Sequence, residues 1–213
     1  MRLLILGATG RTGSRLLDRG LAEGHEVTAF ARRPSTLAPY GSRIRVLQGD
    51  IADASSVNRA IAGQDAVLSA LGSPTLRANT VLSGGIRHVL AAMKEGGVRR
   101  LLVMSALGVG ETRGQLGPVY NLVLIPLLLR NTFLEKERME AYIKASDSEW
   151  TIVRPAALTN GPARGRYRTA LSDARPPRFP RISRGDVAAF MVAEVHQRRF
   201  VRQAVGLWDE PQG

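Results

Sequence analysis

Residues 2–17 read RLLILGATGRTGSRLL, and the fold follows from how this stretch changes its periodicity. Leu3 to Leu6 form an apolar run, Gly7, Gly10 and Gly13 recur at three-residue spacing, and Leu16, Leu17 and Leu21 then follow a helical pattern. A strand, a tight turn and a helix start make the arrangement in which backbone N–H groups and a helix N-terminus receive a dinucleotide pyrophosphate. Gly7 lets the chain turn off the strand, Gly10 lets backbone approach phosphate without a Cβ, and Gly13 lets the helix pack close on the sheet. The spacing is GxxGxxG, whereas the dinucleotide fingerprint is GxGxxG. An ordinary glycine turn is therefore the competing reading, and context decides between them.

Downstream, strands and helices keep alternating. Strands are expected at His25–Ala31, Ile44–Leu47, Ala66–Leu71, Arg100–Met104 and Trp150–Val153, with a weaker one at Ala204–Leu207. Helices are expected at Ser55–Ala62, Val81–Lys94 and Leu127–Lys144, and a last one capped by Ser183 and Asp186 reaches His196. This order predicts an α/β fold, a single-domain Rossmann-type doubly wound parallel sheet with helices on both faces, over residues 1–213. The irregular segments 106–130 and 156–180 are expected to wall a substrate pocket.

With 213 residues and 44% hydrophobic content, the chain is long enough for one sizeable core, and its mean hydropathy of −0.07 is that of a soluble globular protein. Met1-Arg2 leads straight into a strand without the pattern of a signal peptide, so a cytoplasmic protein is expected. The apolar stretch Leu122 to Leu129 is too short to span a bilayer and contains Pro126, so no membrane partner is expected. It reads as buried wall by default, or as a subunit interface or pocket lip. Cysteine is absent, which excludes disulfides and thiolate chemistry, and His25, His88 and His196 lack ligand spacing, so no metal site is expected. Net charge is +12, and every Lys or Arg except Lys94, Lys136 and Lys144 is arginine. The arginines are dispersed rather than arrayed on one helix, which speaks against a nucleic-acid partner. A monomer is expected over a homodimer.

Ligands of such sheets lie outside the C-terminal strand edge, where strand order reverses. Gly7 to Gly13, Arg32-Arg33, Asp50-Ile51, Leu71-Gly72, Ser105-Ala106 and Pro155-Ala156-Ala157 should therefore line one cleft. A fold specific for NAD(H) would put Asp or Glu after the second strand, and this chain has Arg32 and Arg33 there. A guanidinium fork suits a ribose 2′-phosphate, so NADP(H) is expected over NAD(H). Asp50 reads either as a contact to the adenine amino group or as an ordinary turn residue.

Six stretches carry a wider resemblance: GATGRTGS at 7–14, GQDAV at 63–67, AAMKEGGV at 91–98, MSALGVG at 104–110, WTIVRPAALTNGP at 150–162 and RISRGDVAAFM at 181–191. Together they resemble the atypical short-chain dehydrogenase/reductases with NmrA-like features, especially the biliverdin-IXβ reductase/flavin reductase group and its bacterial NAD(P)H-binding relatives. The resemblance implies a phosphate loop of Gly7, Thr9, Gly10, Arg11 and Thr12, with Arg32 on the 2′-phosphate and Asp50-Ile51 beside the adenine. It implies Leu71-Gly72 beside the nicotinamide ribose and Ser105 facing the nicotinamide, and we place Pro155 and Ala156 among the cofactor contacts. It puts Lys136 where the wider superfamily has the lysine of a Tyr-x-x-x-Lys pair, and Thr132 where the tyrosine belongs; an i, i+4 surface pair with Glu140 is the plainer reading of Lys136. Threonine is too weak an acid to protonate an alkoxide. Biliverdin-reducing relatives carry a histidine where this chain has Ala157, so a tetrapyrrole substrate is not implied.

The catalytic candidates are thus Ser105, Lys136 and Thr132, with Tyr120 or Tyr167 as further phenols. The expected activity is NADPH-dependent hydride transfer to a flat conjugated small molecule, such as a flavin, a quinone or a related aromatic metabolite. An NADP(H)-binding sensor without turnover and a redox-neutral epimerase or dehydratase remain open beside it.

Overall fold

The structure, a computed structural model, describes residues 1–73, 75–118, 120–171 and 174–210. Val119, Ser172 and Asp173, which fall in the two segments expected to wall a pocket, lie outside the described residues. The elements in chain order are β1 (Arg2–Leu6), α1 (Arg11–Ala22), β2 (Glu26–Ala31), β3 (Arg45–Gln48), α2 (Ala54–Ile61), β4 (Ala66–Ser69), α3 (Val81–Glu95) and β5 (Arg100–Met104). They continue as α4 (Arg130–Lys144), β6 (Glu149–Pro155), β7 (Ala157–Thr159), β8 (Tyr167–Ala170), β9 (Arg181–Ser183), α5 (Arg184–Gln197) and β10 (Gln203–Asp209).

The main sheet runs β3-β2-β1-β4-β5-β6-β10-β8, parallel throughout except for β8, which pairs antiparallel with β10. Its order reverses between β1 and β4. Alternation along β1 shows why both faces are covered. Leu3 and Ile5 pack with Leu16 and Leu17 of α1 and Phe190 and Met191 of α5, whereas Leu4 and Leu6 pack with Val57 of α2, Val89 of α3 and Met139 of α4. Strands buried on both sides must read as continuous apolar runs, and β1, β4 and β5 do.

The differences from expectation lie in two places. Residues expected to start the fourth long helix form instead a π-helical segment, Tyr120–Leu129, before α4 begins at Arg130. Pro126 has no N–H to donate and its ring crowds the preceding turn, which suits wide turns rather than regular α-helix. This segment is also not buried wall: Leu122 and Leu127 are each 74% exposed. The Pro-, Gly- and Arg-rich stretch after β6 hides three short strands, with β7 pairing parallel to β9 in a small second sheet. Asp186 organises that stretch. Its amide donates to the Ser183 hydroxyl that caps α5, and its carboxylate accepts the amides of Arg164 and Gly165 at 2.7 and 2.8 Å.

The turn after β1 is set by two glycines. Gly7 has φ +79°, and a Cβ on Gly13 would sit 2.0 Å from the Gly7 carbonyl oxygen. That atom is backbone and cannot swing aside. Gly13→Ala should therefore lower the unfolding free energy by about 2–3 kcal/mol, as overpacking against an immovable neighbour does, and urea denaturation followed by circular dichroism measures it.

Candidate functional site

The C-terminal ends of β1 to β4 surround a cleft at the point of order reversal. Gly7, Thr9, Arg32, Asp50, Ile51, Leu71 and Gly72 all line it. The walls at the switch point are close, since a Cβ on Gly7 would meet the Ala70 carbonyl carbon at 2.9 Å. Phe30, Ala31, Gly49, Val81 and Leu82 complete the lining. Sequence reasoning assigned those five to strand, turn or helix core, and only their place at an element end marks them as lining residues.

α1 begins with Arg11 directly beyond Gly10, so its unpaired N–H groups and the positive end of its dipole face the same edge. Thr12 and Gly13 are buried beneath that turn, while Arg11 is exposed. Arg32 lies 4.0 Å from Asp50, and both side chains are open to solvent, so this pair leaves the guanidinium available to a ligand. Arg33 is exposed and is not among the residues lining the cleft.

One strand further along stand the catalytic candidates, with Lys136 in contact with Ser105. Ser105 continues β5 and stays in register with β6 through its amide, which donates to the Val153 carbonyl at 2.7 Å. Thr132 and Lys136 stand one turn apart on α4, and the Lys136 ammonium donates to the Ser105 carbonyl at 3.1 Å. Lys136 is buried rather than part of a surface pair, and its i+4 neighbour Glu140 is buried with it. Burial pushes the Lys136 ammonium down to about 8, against the opposing pull of Glu140. The hydroxyls of Ser105 and Thr132 are buried and have no hydrogen-bond partner among the described residues. Buried hydroxyls are nearly always satisfied in a finished structure, so these two have hydrogen-bonding capacity left over for a polar group. Pro155 and Ala156 are buried at the end of β6 and are not among the residues lining the cleft.

Two supporting networks had no signal in the sequence. Glu135, beside Lys136, turns its buried carboxylate onto the first turn of α3, accepting the Ser83 amide at 2.8 Å and its hydroxyl at 3.0 Å. Arg154 of β6 is buried against Glu140 at 2.5 Å and also reaches Glu111, which Lys144 meets from the other side. Burial pulls the Glu111 carboxyl upward, but the hydrogen bonds from Lys144 and Arg154 outweigh it and hold the group at about 2. Together these bonds fix α3, α4 and β6 around Lys136.

Comparisons with known proteins bear on the family and the fold. A sequence model of the family described as NAD(P)H-binding matches residues 7–198. An uncharacterized chloroplastic protein of Arabidopsis thaliana is 30% identical over 205 residues, covering 91% of this chain and 70% of that protein. A (4-alkanoyl-5-oxo-2,5-dihydrofuran-3-yl)methyl phosphate reductase of Streptomyces griseus is 31% identical over 153 residues, covering 72% of this chain but only 46% of its own length. Among solved structures, ChuY, an anaerobilin reductase from Escherichia coli O157:H7, superposes with a TM-score of 0.85 at 22% identity, covering 100% of this chain and 99% of that one. That likeness is one of fold.

The buried Lys136 charge has a cost that can be measured. A lysine whose folded-state pKa lies near 8 instead of 10.5 subtracts on the order of 3 kcal/mol from folding at pH 7, and the loss fades as pH rises through that interval. Lys136→Met, which also gives up one hydrogen bond, should stabilise the cofactor-free chain at pH 7 by about 1–3 kcal/mol. The gain should shrink between pH 8 and pH 10, and urea titrations across that range test both statements.

Proposed function

The chain belongs to the NAD(P)H-binding family, and from that premise we propose that it is an NADPH-dependent reductase whose acceptor is a flat conjugated molecule of the flavin, quinone or related aromatic class. The observation that carries this reading is the pair of unsatisfied buried hydroxyls, Ser105 after β5 and Thr132 on α4, joined through the bond from the buried Lys136 to the Ser105 carbonyl, one strand beyond the residues lining the cleft. Such a site offers donors and a cation to a planar group held edge-on, and it offers no strong acid.

When bound, the dihydronicotinamide supplies hydride, two electrons and one proton's worth of hydrogen, to the acceptor. The chain's own part is to hold and orient. The α1 N-terminus and the amides around Gly10 suit the pyrophosphate, and Arg32 suits the 2′-phosphate, which favours NADPH over NADH. Lys136 suits the nicotinamide ribose while holding the Ser105 carbonyl, and the Ser105 hydroxyl suits the nicotinamide or the acceptor edge. Reduced flavins and quinones are stabilised anions that take their remaining proton from water. Positioning then dominates the rate, and the absence of a tyrosine at position 132 is tolerable.

The acceptor is placed between the segments 106–130 and 156–180. A cavity of about 450 Å³ beside the first of these segments, lined by Gly108, Ile125, Pro126, Phe133 and Leu134 together with Arg113, Arg130 and Glu137, supports the part of the pocket formed by residues 106–130 and α4. The reductase activity of the Streptomyces griseus relative supports the reaction class. A second reading, an NADP(H)-binding sensor without turnover, is favoured by Thr132 and Ala157.

NADPH and NADH oxidation with a panel of flavins and quinones tests the proposal. The wild type should oxidise NADPH in an acceptor-dependent way. Arg32→Ala should lose roughly 10- to 100-fold of the preference for NADPH, as loss of one charge-assisted phosphate contact does. Ser105→Ala should lower kcat about tenfold with the NADPH preference intact. Tight NADPH binding with no turnover on any acceptor would sink the reductase in favour of the sensor.

A further inference from the structure

The segment expected to be buried wall is instead the most exposed apolar surface of the molecule. Leu122 and Leu127 are 74% exposed, Leu128 is 56% and Val123 is 47%. Two contacts bring further apolar side chains to the same rim. The Asn131 amide donates to the Leu76 carbonyl at 3.1 Å, and Gly117 abuts the backbone of Arg178, so Leu76 and Phe179, both exposed, flank the leucines. Each flanking piece also brings an arginine. Arg77, Arg130 and Arg178 are exposed and form no ion pair among the described residues.

The three contributing stretches, residues 66–94, 112–134 and 174–185, contain no Asp or Glu at all. Arg2 pairs with Asp65 and Arg198 with Glu149 away from the rim, and at its margin Arg113 pairs with Glu137, whereas Arg77, Arg130 and Arg178 have no such partner among the described residues. The rim thus combines projecting leucines with uncompensated guanidinium groups, and this combination discriminates between occupants. A second copy meeting the same face two-fold would set arginine against arginine, in a chain of net charge +12, and the nearby Glu137 carboxylate is already paired with Arg113. Nucleic acid would use the arginines but leave the leucines in water, and the patch offers Phe179 alone as an aromatic for base stacking. An anionic lipid surface satisfies both features, because acyl chains take up leucines while phosphates meet arginines.

We propose that the rim formed by Leu122–Leu129, Leu76 and Phe179 with Arg77, Arg130 and Arg178 docks this chain on anionic lipid bilayers as a peripheral protein. No helix of the described residues is long and apolar enough to cross a membrane, so the contact is one of surface insertion. The rim borders the acceptor cavity through Ile125, Pro126 and Arg130, yet lipid binding is read without turnover, since a chain inactive toward every acceptor would still bind lipid.

Co-sedimentation with phosphatidylcholine vesicles, with and without phosphatidylglycerol, tests this on the full chain. Binding should require phosphatidylglycerol and weaken about fivefold for each of Arg77→Gln, Arg130→Gln and Arg178→Gln. The double variant Leu127→Ser/Leu128→Ser should weaken it by about tenfold or more, with circular dichroism confirming that each variant is folded. Because the chain has no cysteine, Leu122→Cys carries a single environment-sensitive dye, whose emission should shift to the blue only when anionic vesicles are added. Four results would each overturn the proposal: no binding to either vesicle; equal binding to both; binding by charge alone that survives the leucine changes; or a dye shift without lipid. In the last case, a dimer in analytical ultracentrifugation would assign the face to a second copy, and a shift on adding NADPH would assign it to closure over the site.

Discussion

The approach of Gly13 to the carbonyl of Gly7 is the contact on which the rest of the molecule depends. It sets the angle at which α1 leaves β1, and β1 lies where the strand order reverses, so this one turn fixes where the cleft opens. With α1 held there, its face of Leu16 and Leu17 seals one side of the sheet and its N-terminus stays at the mouth of the cleft. Any side chain at Gly13 would push the helix off both at once.

Charge inside the fold serves the same end. Arg100 is buried with Glu194, bonding its carbonyl and carboxylate and the Thr151 hydroxyl, near the edge of the sheet opposite the cleft. Arg154 with Glu140 does the corresponding task close to the site. Buried pairs of this kind contribute little net stability against apolar replacements, yet losing one partner is expensive. Their value here is registration: each ties a strand to a helix that backbone hydrogen bonding cannot reach.

How much of this was legible in sequence depended on whether the signal was local. Gly7, Gly10 and Gly13 after an apolar run, Arg32 after a second run, and Ser105 after a third each sit at a strand end, and strand ends follow from periodicity. The parallel doubly wound sheet and the convergence of Gly7, Thr9, Arg32, Asp50, Ile51, Leu71 and Gly72 on one cleft were therefore readable. What was not readable depended on distant partners. Nothing near Glu135 says that Ser83, 52 residues away, will receive it, and nothing near Arg154 says that a strand arginine will be buried. The leucines of residues 122–129 misled for the opposite reason. Apolar composition predicts burial, whereas Pro126 and the geometry of the wide turns turn several of them outward.

The backbone ladder does not stop where the strands do. The amide of Ser105 reaches Val153, that of Leu107 reaches Pro155, and that of Ala156 reaches Leu207, so the residues leaving β5 and β6 are rooted in their neighbours before either chain wanders. The wandering parts, from Gly108 to Leu129 and from Ala157 onward, are attached only beyond those roots. Such an arrangement separates inheritance from invention: beyond Glu111, which helps hold Arg154, the outer loops can be lengthened, shortened or exchanged without disturbing the positions of Ser105 and Lys136. One nucleotide platform can in this way be refitted for a new partner molecule by changing only its outer loops.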